Sequence, residues 1–180
     1  MKSAAIYSIV FIQLFVFSTG SSFASTEAEP FFGHFTGTAI NDVDNELPGR
    51  KMDVTIKPYK NGFNVTWSTT SFRSKDNVKK STFTINFKPS KEVGVYGSAM
   101  SKDVFGHERP LDPLKGDPFV WAQIDGKTMT VHSLLVAEDG GYEIQSYERT
   151  LVEGGMDLIF SRVQNGKIMR QITGSLKKID

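Results

Sequence analysis

The 180-residue chain contains no cysteine. Disulfides, thiol catalysis and cysteine-ligated metals are therefore excluded. A small protein of the eukaryotic secretory pathway is commonly cross-linked, so a bacterial exported protein fits this composition better. Histidine is scarce as well: His34, His107 and His132 are widely spaced, with no His-x-x-x-His pair to hold a metal. No Gly-x-Ser-x-Gly elbow, phosphate-cradling loop or catalytic triad is present. Helical periodicity is almost absent.

One long apolar run exists, and it lies at the N-terminus. Lys2 precedes an apolar stretch from Ala4 to Phe17, and Ser22-Phe23-Ala24 offers small residues at a cleavage site before Ser25. That layout predicts a secretory signal peptide over Met1–Ala24. The run is short of the roughly 20 apolar residues that a spanning helix needs, and no later segment approaches that length. The expected mature chain, Ser25–Asp180, is one domain in the periplasm or outside the cell, with no membrane span once the signal is removed. Removing Lys2 from 21 basic side chains leaves 20 against 20 acidic ones. A balanced charge without a basic block argues against nucleic acid as a partner.

What the chain has in quantity is period-2 alternation. Met52, Val54 and Ile56 share one strand face, as do Phe63, Val65 and Trp67, and again Phe83, Ile85 and Phe87. Turn pairs that tolerate positive φ separate these runs: Asn61-Gly62, Asp125-Gly126, Gly140-Gly141, Gly154-Gly155 and Asn165-Gly166. The pattern predicts strands near 32–40, 50–59, 62–72, 80–89, 93–100, 118–125, 127–138, 141–152, 156–164 and 167–178. Such a meander loses its exposed edges most simply by closing into an antiparallel up-and-down β-barrel of about eight to ten strands. An open two-sheet sandwich is the alternative. Residues 41–49 and 101–118 form the two longer connections.

"FFGHFTG" in the first strand, an all-antiparallel meander and an arginine in the last strand together resemble the calycin superfamily, which includes lipocalins and fatty-acid-binding proteins. The resemblance implies a barrel cavity for a small, largely apolar molecule. It also implies that Gly33 and Phe35 stand where the family has Gly-x-Trp, with Arg170 packing across that ring to close one barrel end. Phe replaces the usual Trp here. The helical pair of fatty-acid-binding proteins has no room in 41–49, and the lipocalin helix and disulfide are missing.

Arg170 stands out in any case, because it falls between Ile168 and Ile172 on an apolar alternation. If Gln164-Asn165-Gly166 is a three-residue loop with a bulge, Arg162 and Arg170 share a face with Leu158, Phe160, Ile168 and Ile172; if the loop is only Asn165-Gly166, the faces separate. A buried guanidinium costs several kcal/mol unless it is paired. Partners on offer are Glu148, which follows Ile144 on its own strand face, the Phe35 ring or a ligand anion held by bidentate hydrogen bonds. Expected ligand contacts are Arg170, Arg162, Glu148, Trp67, Trp121, Phe87 and His132. No metal site and no cofactor are expected; a lone barrel histidine such as His132 could ligate haem, but structural histidines are far commoner.

The expected function is binding of a small hydrophobic or amphipathic molecule in the barrel. One rival is an enzyme (isomerase, cyclase or hydrolase) built on Glu148, Arg170 and the 107–112 loop with His107, Glu108, Arg109 and Asp112. The other is a structural or inhibitory barrel that acts through its loops.

Overall fold

A computed structural model of the chain describes residues 27–41, 50–74, 77–98, 101–102, 108–109 and 111–179. The signal peptide over 1–24, most of the 41–49 connection and His107 lie outside the described residues. The barrel strands are β1 (Gly33–Asn41), β2 (Arg50–Tyr59), β3 (Gly62–Ser74), β4 (Asn77–Pro89), β5 (Val95–Ser98), β8 (Phe119–Asp125), β9 (Thr128–Val136), β10 (Tyr142–Val152), β11 (Gly155–Gln164) and β12 (Lys167–Lys178). A separate pair, β6 (Ser101–Lys102) and β7 (Glu108–Arg109), lies between β5 and β8. Each barrel strand pairs antiparallel with its sequence neighbour, and β1 pairs with β12 to close the ring. The sandwich alternative is thereby excluded.

The alternation that marks the strands in sequence also fixes which way they face. Met52, Val54, Ile56, Val65, Trp67, Ile85 and Phe87 are all buried inside the barrel. Their neighbours Lys51, Asp53, Thr55 and Lys57 point outward, as do Asn64, Thr66, Thr84 and Asn86. Outward residues meet in polar cross-strand pairs: Asn64 Nδ2 donates to Asn86 Oδ1 at 3.1 Å, and the Thr66 and Thr84 hydroxyls lie 2.9 Å apart. Over these strands the sidedness is opposite to that of a membrane-spanning barrel, which turns an apolar band outward. No helix among the described residues is long and apolar enough to cross a membrane.

One end of the barrel is plugged. A short 3₁₀ turn, Glu29–Phe31, buries Phe31 and Ala28 in the same apolar cluster as Phe35, Phe63, Phe87 and Tyr96. The Phe63 ring stacks on Phe87 at 5.1 Å and meets Tyr96 edge-on at 4.9 Å. Gly33 then carries the chain into β1 with φ of 143°, a conformation open to glycine. Gly37 lets β1 press against β12, since a Cβ there would sit 2.1 Å from the Ser175 carbonyl oxygen.

The cation over Phe35 is not Arg170. Lys178 Nζ sits 5.7 Å from the Phe35 ring centre and donates to the Phe32 carbonyl at 2.7 Å. Phe35 pairs with Lys178 at the plugged end of β12, whereas Arg170 lies eight residues earlier, toward the opposite end. The expected closing pair of Phe35 and Arg170 does not form.

Candidate functional site

The open end of the barrel holds a cavity of about 330 Å³. Its base is aromatic and apolar: Trp67, Phe83, Tyr147, Phe160, Met52 and Ile172. Trp67 and Phe83 are cross-strand partners stacked at 5.5 Å, and Tyr147 touches Trp67 at 5.4 Å and Phe160 at 4.7 Å. Phe83 shares the inner face of β4 with Ile85 and Phe87, as its alternation requires, yet is 56% exposed because it lies against this open space.

Above the aromatic base the lining turns polar and cationic. Thr69 faces Ser81 and Ser71 faces Lys79 across β3 and β4, while Arg50 and Arg170 project from β2 and β12. No carboxylate lines the cavity among the described residues. Neither Lys79 nor Arg170 has an acidic partner among them. The volume lies at the low end of ordinary ligand pockets, about 300–1,000 Å³.

The register of the last hairpin explains how Arg170 arrives there. Asn165 and Gly166 both adopt positive φ, 47° and 78°, and form a two-residue turn between Gln164 and Lys167. One pair further along, the register shifts, so Val163 opposes Ile168 while Arg162 opposes Arg170. Met169 is the extra residue. The bulge turns Ile168 outward, 67% exposed, and brings both arginines to the inner face. Neither loop anticipated from the sequence has this form: the turn is short, yet the arginines share a face. Ile168 is not a neighbour of Arg170 on that face.

Arg162 is already committed. Its Nη2 donates to Glu143 Oε2 at 2.5 Å, and Gln145 Nε2 donates to Glu143 Oε1 at 2.7 Å. The hydrogen bond from Arg162 is the main cause that holds the Glu143 carboxyl below its usual range. Like charges directly opposite in a sheet destabilise it, and Glu143 relieves this by neutralising one arginine of the facing pair. Arg170 keeps its charge for the cavity.

Below the cavity base lies a cation that the sequence reading overlooked. Arg149 is 1% exposed, with Met129 and Leu158 as its cross-strand neighbours. Its guanidinium sits 5.9 Å from the Trp67 ring centre and 5.7 Å from that of Tyr147. Nη1 reaches the Tyr147 carbonyl oxygen at a long 3.4 Å, and Nε has no hydrogen-bond partner. Burial pulls this guanidinium down to about 10, so it is still charged at neutral pH. Burial likewise raises the Tyr147 phenol, against a smaller opposing effect of Arg149.

The structure separates the other expected site residues. Trp67 and Arg170 line the cavity, and Arg162 stands beside it in its ion pair. Phe87 is buried at the plugged end, away from the cavity. Glu148, Trp121 and His132 are on the outer wall and do not line it. Glu148 borders a surface depression with Gln123, Asp125, Thr128 and Thr130, so it is no partner for Arg170. His132 stacks on Trp121 at 4.8 Å and its Nδ1 lies 3.0 Å from Ser146 Oγ. Burial lowers its pKa. Asp112 has a local task, accepting a hydrogen bond from the Leu114 backbone N–H at the start of a 3₁₀ turn. A further depression of about 500 Å³ lies over β1, β11 and β12 and is lined mainly by small and hydroxyl residues. No cluster of three metal-ligating side chains occurs among the described residues.

No protein-family model matches the chain, and no curated protein matches it. Among solved structures, a redesigned beta barrel is similar to 86% of this chain and 96% of its own, at 10% identity and a TM-score of 0.41. A "putative outer membrane protein" of Bacteroides fragilis is similar over 87% of this chain and all of its own, at 10% identity and a TM-score of 0.19. Likenesses this distant decide nothing about the site. The strand pairing itself establishes a closed, ten-stranded antiparallel β-barrel.

Proposed function

We propose that the chain is an exported binding protein, lipocalin-like in design, that holds a small amphipathic acid in the open half of its barrel. The observation that carries this reading is the cavity: an aromatic base, hydroxyls above it, and Lys79 and Arg170 without an acidic partner among the described residues. A cation half-withdrawn from water gains most from an anion it can meet by charge-assisted hydrogen bonds. The apolar part of such a ligand covers Trp67, Phe83 and Phe160, and its acid lies between Lys79 and Arg170. The size of the cavity favours a compact ligand over a long acyl chain.

Kinship with calycins belongs to the same proposal. Gly33-x-Phe35 in the first strand, the antiparallel meander and a last-strand cation over Phe35 support it, although that cation is Lys178. Export to the periplasm or beyond rests on the signal-like segment over 1–24.

Mass spectrometry of small molecules released from protein purified natively from its exported fraction tests the reading. The expected result is an enriched organic acid of modest size, displaced by excess cinnamate. A protein that yields no such molecule, and shows no saturable heat on titration with cinnamate or methyl cinnamate, is not a binding protein of this kind.

A further inference from the structure

Arg149 takes no part in the anion site described above, yet a charge has been buried there without a counter-ion among the described residues. Among the described residues its Nε and Ser98 Oγ are the buried side-chain polar atoms without a hydrogen-bond partner. A lone buried cation costs several kcal/mol. Two aromatic faces repay part of this, about 0.5–2 kcal/mol for each such contact. Packing alone gives no reason for it, because an apolar side chain would fill the space between Met129 and Leu158 more cheaply.

The position of the charge is informative. Trp67 and Tyr147, the two rings that Arg149 contacts, are themselves part of the cavity base. Its field therefore enters the cavity through aromatic side chains and not through water. A charge under a dry floor is screened by salt far less than the cations at the mouth. We propose that Arg149 is a specificity-determining residue: from beneath the Trp67–Tyr147 floor its charge makes the whole cavity favour an anion over a neutral molecule of the same shape. This rests on the binding reading above and adds a residue that does not touch the ligand.

The test compares cinnamate with methyl cinnamate by calorimetric titration, so that the acid-over-ester ratio isolates charge from shape. Arg149→Met should lower that ratio about tenfold and leave the ester affinity within about twofold, and Arg149→Lys should restore most of the ratio. A Met variant that loses both ligands equally, or keeps the wild-type ratio, overturns the role. Should Arg149→Met fail to fold, a second variant decides with Arg149 intact. Replacing Arg50, Lys79 and Arg170 together by Met should leave an acid preference of several-fold that does not change between 0.05 and 0.5 M salt. A preference that vanishes in this triple variant, or that falls away with salt, overturns the proposal while ester binding keeps the cavity reading alive. If the wild-type protein binds neither ligand, the binding reading fails first and Arg149 loses its role with it.

Discussion

Arg162 and Arg170 face each other across β11 and β12 on the inner wall of the barrel, and the Glu143 carboxylate bonds to Arg162. That asymmetry leaves one guanidinium bound within the wall and the other turned toward the cavity. Glu143→Gln should therefore release Arg162 as a further hydrogen-bond donor to the anion and tighten cinnamate binding several-fold. Its cost in stability at pH 7 should be below about 1 kcal/mol, as for other ion pairs near the surface. Because the folded pKa of Glu143 is lowered, its stabilisation is present above the usual carboxylate value of 4.5 and fades as pH falls through the folded value. Urea unfolding of both proteins from pH 7 to pH 3 checks this: the gap should close on the acid side. A gap that widens there contradicts the assignment.

Arg170→Met preserves much of the apolar stem and should fold with a loss below about 1 kcal/mol, since the group is only half-buried at the open end. Selectivity for cinnamate over its methyl ester should drop by about 1.5–3 kcal/mol, the worth of a hydrogen bond to a charged group. Loss of stability without loss of selectivity would return Arg170 to a purely structural role.

The barrel was legible because its strands alternate. Met52, Val54 and Ile56 declare an inner face without ambiguity, and the bounds expected for β2 and β12 coincide with those observed. The site was harder to see for two physical reasons. In β10 neither face is uniformly apolar: Ile144 competes with Tyr147 and Leu151, and choosing the Ile144 face put Glu148 inside in place of Arg149. The apolar side chains of Tyr147 and Leu151, on the same strand face as Arg149, were the signal that could have found it. In β12 a single extra residue, Met169, reverses the faces on either side of it, and no turn residue announces a bulge of that kind. Lys79, Thr69, Ser71 and Ser81 read as ordinary polar strand residues. Thr69, Ser71 and Ser81 do continue the inner faces of their strands, but no alternation distinguishes a polar strand end over a cavity from one in solvent, and Lys79 falls just before the strand expected at 80–89.

The plugged end should carry much of the stability. Phe35 is 1% exposed within the cluster that holds Phe31, Phe63 and Phe87, so Phe35→Ala should cost about 3–5 kcal/mol. Lys178→Met should cost less than about 1 kcal/mol, because its contact with the ring is made from the exposed side. Gly37→Ala should resemble the Phe35 change and not the Lys178 one, since its Cβ would have to displace the β12 backbone. Chemical denaturation of the three variants gives the order, and a Lys178 variant as unstable as the Phe35 one would mean that the cation, and not the ring, closes the barrel.

His132 supplies a pH dependence of the opposite kind to a paired histidine. It is half-buried against Trp121, and burial lowers its folded pKa below the ordinary value of 6.5. The unfolded chain therefore takes up the proton first as pH falls. Its contribution to stability is complete above 6.5 and is lost as pH drops from there toward the folded pKa. His132→Gln, with its amide placed to bond Ser146 Oγ, should remove this slope. Wild-type protein should lose more stability than the variant between pH 7.5 and pH 5, with His34 and His107 present in both. The imidazole proton resonances give an independent check, because His132 should titrate below 6.5. Equal losses in the two proteins would mean that folding does not disfavour the charged form of His132, and a titration above 6.5 would mean that the outer stack favours a charged imidazolium in place of a buried neutral one.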